Sequence, residues 1–130
     1  MMEPPIDFKT IEESIHVKKD NGTDVNYYIF DEYEIHLNKI APKSVQEWHY
    51  HSKIEESILV TKGVLYCKWL ENDMEKSRYV NPGELVRVKN SVHTFANDTD
   101  EPVEFTVFRF VPTGENKREL IKNDKTIVEA

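Results

Sequence analysis

The sequence predicts an all-β protein built as a sandwich or barrel. The first observation is composition. Thirteen valines, ten isoleucines and eight threonines stand against three alanines and six leucines. β-branched side chains are stiff at χ1 and fit a pleated surface better than a helix. The second is patterning: short alternating runs, about eight to ten of them, separated by turn residues every 8–12 positions or so. The third is size. A chain of 130 residues is room for one domain, with a core that needs no disulfide or metal staple. The expected division is a single domain over 1–130, with the core barrel at about 14–112 and arms at 1–13 and 113–130.

The elements follow in order. The N-terminal arm is polar, contains Pro4 and Pro5, and is expected to be irregular or a short strand. Ser14–Lys18 alternates, and Asn21-Gly22 turns the chain. Asn26–Glu32 and Tyr33–Ile40 are the next strands, ended by Pro42. Val45–Ser52 alternates again. Glu56–Val60 and Val64–Leu70 flank Thr61-Lys62-Gly63, a short hairpin connection. Glu71-Asn72-Asp73 turns into a strand ending at Arg78–Val80, and Asn81-Pro82-Gly83 turns again. Leu85–Val88, Thr94–Ala96 and Val103–Val111 complete the series. Beyond them, the stretch from Thr113 to Ile121 suits one or two helical turns, and Lys125–Val128 suits an edge strand.

Composition also excludes function classes. Aspartate and glutamate number 24 against 17 lysines and arginines, a net charge of −7, and no basic stripe is visible. A nucleic-acid partner is therefore not expected. No apolar run approaches the roughly 18 residues of a membrane span. The N-terminus, Met-Met-Glu-Pro-Pro, lacks a basic segment followed by an apolar one, so no secretory signal is expected. The single cysteine, Cys67, has no internal partner and reads as a small core residue. Together these point to the cytoplasm.

Three of the five histidines fall in two late clusters. Trp48-His49-Tyr50-His51 is followed by Glu55-Glu56, and His93-Thr-Phe-Ala-Asn97 comes from a separate strand. Side chains alternate faces along a strand, so His49 and His51 share one face and Tyr50 takes the other. A carboxylate a few residues on and a third imidazole complete three nitrogens and one oxygen. That donor set suits a divalent transition metal with positions left open.

These residues resemble the two motifs of the cupin superfamily. In the first motif, His49-Tyr50-His51 is followed by four residues, Glu56, six residues and Gly63. That spacing selects Glu56 over Glu55, which reads as a solvated neighbour. In the second, Gly83 opens the motif, and His93 and Asn97 close it with three residues between. Two positions depart from the pattern. Lys43 stands in place of the leading glycine, and Lys89-Asn90-Ser91 in place of Pro-x-Gly, one residue short. Asn tolerates left-handed backbone and Ser bonds locally, so these residues offer another way to turn.

The resemblance implies a small double-stranded β-helix, or jelly-roll, barrel that binds a metal near one mouth through His49, His51, Glu56 and His93. Manganese, iron, nickel and zinc all fit. The pocket candidates are His36, Phe95, Asn97 and Arg109. Phe95 shares parity with His93 and Asn97. An inward Arg109 would hold an anion, and an outward one would serve an interface. His36 fits either the interior or a hydrogen-bonded structural place, and His16 is expected to be exposed. Trp48 and Tyr50 are expected to pack in the core or a subunit interface. The fold does not fix the reaction. One hypothesis is a metal-dependent enzyme acting on a small polar metabolite, of the sugar isomerase, epimerase or dioxygenase type. The others are a non-catalytic binding module for a small molecule or metal, and a metal-free structural barrel. A homodimer is the expected assembly, with a β-rich arm at each end as a route to strand exchange.

Overall fold

A computed structural model describes residues 4–128. After a 3-10 turn at Ile11–Glu13 come β1 (Ile15–Lys18), β2 (Thr23–Ile29), β3 (Tyr33–Ile40), β4 (Ser44–Val45) and β5 (Glu55–Lys62). Then follow β6 (Leu65–Glu71), β7 (Met74–Val80), β8 (Leu85–Arg87), β9 (His93–Asn97) and β10 (Val103–Phe110), with a short helix α1 (Arg118–Asn123) behind them. All the pairings are antiparallel. One sheet has the order β1-β2-β3-β10-β5-β8 and the other β4-β9-β6-β7. The fold is the expected jelly-roll barrel.

Side chains alternate between the two faces of each strand, and one face turns inward. On β10 the side chains of Val103, Phe105 and Val107 are buried. On β5 the buried positions are Glu56, Ile58 and Val60. With Ile40, Leu65, Cys67, Val80, Val88 and Phe95 they form one core between the sheets. Burying each such aliphatic or aromatic side chain contributes on the order of 1.5–3 kcal/mol. Cys67 is in this core, as expected, and burial pushes its thiol up to about 11. It is an inert packing residue rather than a nucleophile.

Several local expectations need correction. The run Val45–Ser52 is not one strand: β4 stops at Val45, and His49 rejoins β9 only through an isolated bridge to His93. From Val45 opposite Ala96 to His49 opposite His93, one edge advances four residues and the other three. The extra residue makes a bulge, and the Thr94 hydroxyl donates to the Gln46 carbonyl (2.6 Å) to hold the irregular segment in place. β2 starts at Thr23 and ends at Ile29, earlier than Asn26–Glu32. Neither arm contributes a strand among the described residues: the first holds the 3-10 turn and Lys125–Val128 is irregular. Of the two places expected for Trp48 and Tyr50, the core is ruled out, since both are exposed on the single chain. Glu55 is not simply solvated, because Arg87 pairs with its carboxylate and most of its side chain is covered.

Both departures from the motif pattern take left-handed backbone. Lys43, in place of the leading glycine, has φ +58°. Its ammonium group donates to the Asp98 carbonyl at 2.7 Å. In the turn before His93 the left-handed residue is Lys89 (φ +52°), not Asn90. Ser91 closes that turn, its amide donating to the Val88 carbonyl at 3.1 Å and its hydroxyl to the same oxygen at 2.6 Å. The missing Pro-x-Gly is thus replaced by a side chain that bonds to its own turn.

Candidate metal centre

His49 and His93 exchange both backbone hydrogen bonds, at 3.0 and 2.9 Å. That pairing sets their rings 4.5 Å apart, centroid to centroid. His51 follows two residues on, its ring 5.2 Å from that of His49 and 5.8 Å from that of His93. Glu56 enters from the facing sheet, buried on β5. One potential ligand atom from each of these four residues lies within 4.8 Å of all the others. That is slightly wider than the about 4.2 Å spanned by two opposite ligands at zinc-like bond lengths.

The ring orientations have causes. His49 Nδ1 lies 2.9 Å from the Glu47 carbonyl, and His93 Nδ1 lies 3.0 Å from the Ser91 carbonyl. An imidazole N–H donating to a carbonyl assigns the proton to Nδ1, so Nε2 keeps a lone pair. The same Ser91 that closes the turn therefore also aims His93. Burial pushes the pKa values of His51 and His93 below their ordinary range, so both rings are neutral at neutral pH. Glu56 Oε1 accepts from Arg109 Nε at 2.5 Å, and its Oε2 stands 3.5 Å from His51 Nε2. That second contact is within ion-pair range without hydrogen-bond geometry, since the Nε2 atoms of His51 and His93 are both buried without a hydrogen-bond partner.

Those two orphaned nitrogens test the fit of a metal. A buried polar atom left unpaired costs roughly 1–3 kcal/mol. Here two of them share one space with a third imidazole and a carboxylate oxygen. Three imidazole nitrogens and one carboxylate oxygen form the donor set that imidazole-preferring divalent ions take, so the residues fit.

Beside the cluster is a cavity of about 230 Å³, lined among others by Tyr27, His36, Asn38, Gln46, Phe95 and Arg109. Of the pocket candidates, His36, Phe95 and Arg109 line it. His36 Nε2 bonds Glu34 Oε1 at 2.8 Å, and its ring meets Tyr27 edge-on. Asn97 is not among the lining residues. Its amide donates to the Ile40 and Glu101 carbonyls, at 3.1 and 2.6 Å, and its oxygen accepts from Thr99, so it ties the turn after β9 to β3. Sequence reasoning missed Tyr27, Glu34, Asn38 and Gln46. A signal for two of them was present: Glu34, His36 and Asn38 alternate on β3, with Ile35 and Leu37 on the other face. His16 is exposed and pairs with Asp24 at 2.5 Å.

Two antiparallel sheets closed into a jelly roll, with three histidines and a glutamate inside one mouth, define the cupin class of barrel. The family model described as "Cupin domain" matches residues 36–109, and this chain belongs to that family. The matched segment contains all four members of the cluster. Similar solved structures include the Cupin_2 domain of an XRE-family transcriptional regulator from Enterobacter cloacae. It is 21% identical with a TM-score of 0.60, over 70% of this chain and 98% of that one. An oxalate oxidase in complex with the substrate analogue glycolate is 19% identical with a TM-score of 0.67, over 84% and 62%. CENP-C from Drosophila melanogaster is 17% identical with a TM-score of 0.67, over 75% and 77%. Such identities show the shared fold alone. A comparison with curated protein sequences returned no match.

Proposed function

We propose that this protein is a metal-binding cupin, and that it is a metal-dependent enzyme acting on a small polar metabolite of the kind isomerases, epimerases or dioxygenases take. The observation that carries the reading is the pair of buried, unpartnered Nε2 atoms converging with His49 and Glu56. His49, His51, Glu56 and His93 would hold a divalent transition ion. When bound, such an ion supplies Lewis acidity toward a ligand oxygen, and redox chemistry if it is iron or manganese. The chain's own residues do the rest. The Glu47 and Ser91 carbonyls fix the His49 and His93 rings. Arg109 holds one oxygen of Glu56 and leaves the other toward the cluster. Phe95, Ile58, Phe105 and Val107 give the inner cavity part of its wall as apolar surface.

Elemental analysis of the purified protein tests the site. Near-stoichiometric metal is expected, and its loss in the His49→Ala/His51→Ala double variant. Metal content unchanged by that variant would overturn the ligand assignment. Turnover of a panel of sugar phosphates, keto acids and diketones, with Glu56→Gln as control, separates an enzyme from a non-catalytic binder. A panel without turnover, on metal-loaded protein that still binds a panel member, favours the binding module.

The same proposal covers assembly and location. The chain is a single domain over 1–130, acts in the cytoplasm, has no nucleic-acid partner and works as a homodimer. The acidic balance and the buried lone cysteine support the location and the lack of a nucleic-acid partner. For the dimer, support comes from the outer face of the larger sheet, where Tyr33, Leu59, Leu85 and Phe108 are exposed. Among the described residues no helix is long and apolar enough to cross a membrane.

A further inference from the structure

We propose that the cavity beside the cluster takes a small carboxylate and that Arg109 selects it. The inference rests on the metal-dependent reading above. Arg109 sits on β10, between β3 and β5, with Glu34 and Glu56 as its register neighbours. Its Nε is used on Glu56, and Glu34 is used by His36. Among the described residues, no hydrogen bond engages either Nη nitrogen of Arg109. The side chain is 35% exposed and lines the cavity, so a guanidinium with unengaged donors stands at the cavity wall. A guanidinium edge with two free nitrogens matches a planar pair of oxygens.

Charge points the same way. Glu56 and Arg109 cancel, as do Lys19 and Glu47 among the other cavity residues. His36 is held neutral by burial. Glu34, bonded to His36 and in register with Arg109, adds one negative charge, so a divalent ion would leave one positive charge uncompensated in a partly closed space, where charge is weakly screened. Size narrows the class further. A volume of 230 Å³ is the share of about seven or eight waters, below the about 300 Å³ at which drug-sized sites begin. The apolar wall of Val25, Phe105 and Val107 accepts a short carbon chain. No hydrogen bond among the described residues occupies the Tyr27 hydroxyl or the Asn38 amide, which suits an additional hydroxyl or keto oxygen. A carboxylic acid of a few carbons satisfies all of these.

Lactate and lactamide make the test, since they share a shape and differ in charge. Each is titrated calorimetrically into the metal-loaded full chain, with metal content measured on the same sample. Lactate is expected to bind at least about tenfold tighter than lactamide. Arg109→Gln is expected to erase that preference. Arg109→Lys, which keeps the charge without the fork, is expected to restore part of it, and it carries the comparison if Arg109→Gln sheds metal or fails to fold. Metal-loaded protein that binds both probes alike, or a preference untouched in both variants, overturns the assignment of Arg109. Inorganic phosphate displacing lactate at equal concentration also overturns it, in favour of a tetrahedral oxyanion. Wild-type protein that takes up no metal overturns the underlying reading instead, and the charge argument with it.

Discussion

Three of the four imidazoles in and near the cluster depend on the atom behind them. The Glu47 carbonyl holds His49, the Ser91 carbonyl holds His93, and Glu34 holds His36. His36 shows how burial and pairing compete. Burial lowers its pKa from the ordinary 6.5, the Glu34 carboxylate raises it, and burial prevails. A folded-state pKa below the unfolded value means that the unfolded chain takes up the proton first. The stability linked to His36 is therefore complete above about pH 6.5 and falls as the pH drops below it. Urea denaturation of metal-free protein at about pH 7.5 and about pH 5.5 should give a lower midpoint at the lower pH. The difference should shrink in His36→Gln. It should not vanish, because His51 and His93 are shifted in the same direction. An undiminished difference would mean that His36 titrates alike in both states.

At the scale of elements, turns and a bulge decide where the side chains point. Gly63 connects β5 to β6 with φ +78°, and a Cβ there would sit 2.6 Å from the Pro102 carbonyl oxygen. Gly83 has φ +88° but nothing within 4 Å of such a Cβ. Gly83→Ala thus incurs only the left-handed backbone cost of about 1–2 kcal/mol. Gly63→Ala incurs that cost and a clash with backbone. Thermal melts should rank Gly63→Ala well below Gly83→Ala, and equal losses would show that the β5–β6 turn shifts freely away from Pro102. Strand existence was legible because alternation and turn residues are local signals. The end of β4 was not. Its bulge arises from pairing with β9, some forty to fifty residues away, and Val45–Ser52 alternates well enough to pass for a strand. The left-handed Lys89 was equally hidden, since asparagine rather than lysine has the local preference for that backbone.

For the whole molecule, the larger sheet presents two unlike faces. The inner one packs the core and carries the polar row Glu34, Arg109 and Glu56 across β3, β10 and β5. On the outer one Phe108 lies opposite Ile35, Phe110 opposite Tyr33, and Leu59 opposite Leu85, an apolar band interrupted by Glu55, Ser57 and Thr106. Clustered apolar pairs of this kind mark interaction sites more often than singly scattered exposed residues do. If the proposed homodimer uses this band, light scattering at micromolar concentration gives twice the monomer mass, and Leu59→Asp/Phe108→Asp gives the monomer. A monomeric wild-type protein would sink the dimer. A double variant that stays dimeric would move the interface elsewhere.

By itself, the sequence determined the strand-rich class, the turns and, through its resemblance to the cupin motifs, the identity of the four residues that cluster. These depend on local preference and on spacing along one chain, and both are written in residue order. Only the tertiary structure decided which face of β3 and of β10 is inward. β3 gathers polar residues on one face and apolar ones on the other, β10 mixes both kinds on both faces, and the choice is made by what packs against them. That choice set His36 beside Glu34, turned Arg109 onto Glu56, and left Asn97 to tie a turn rather than line the cavity.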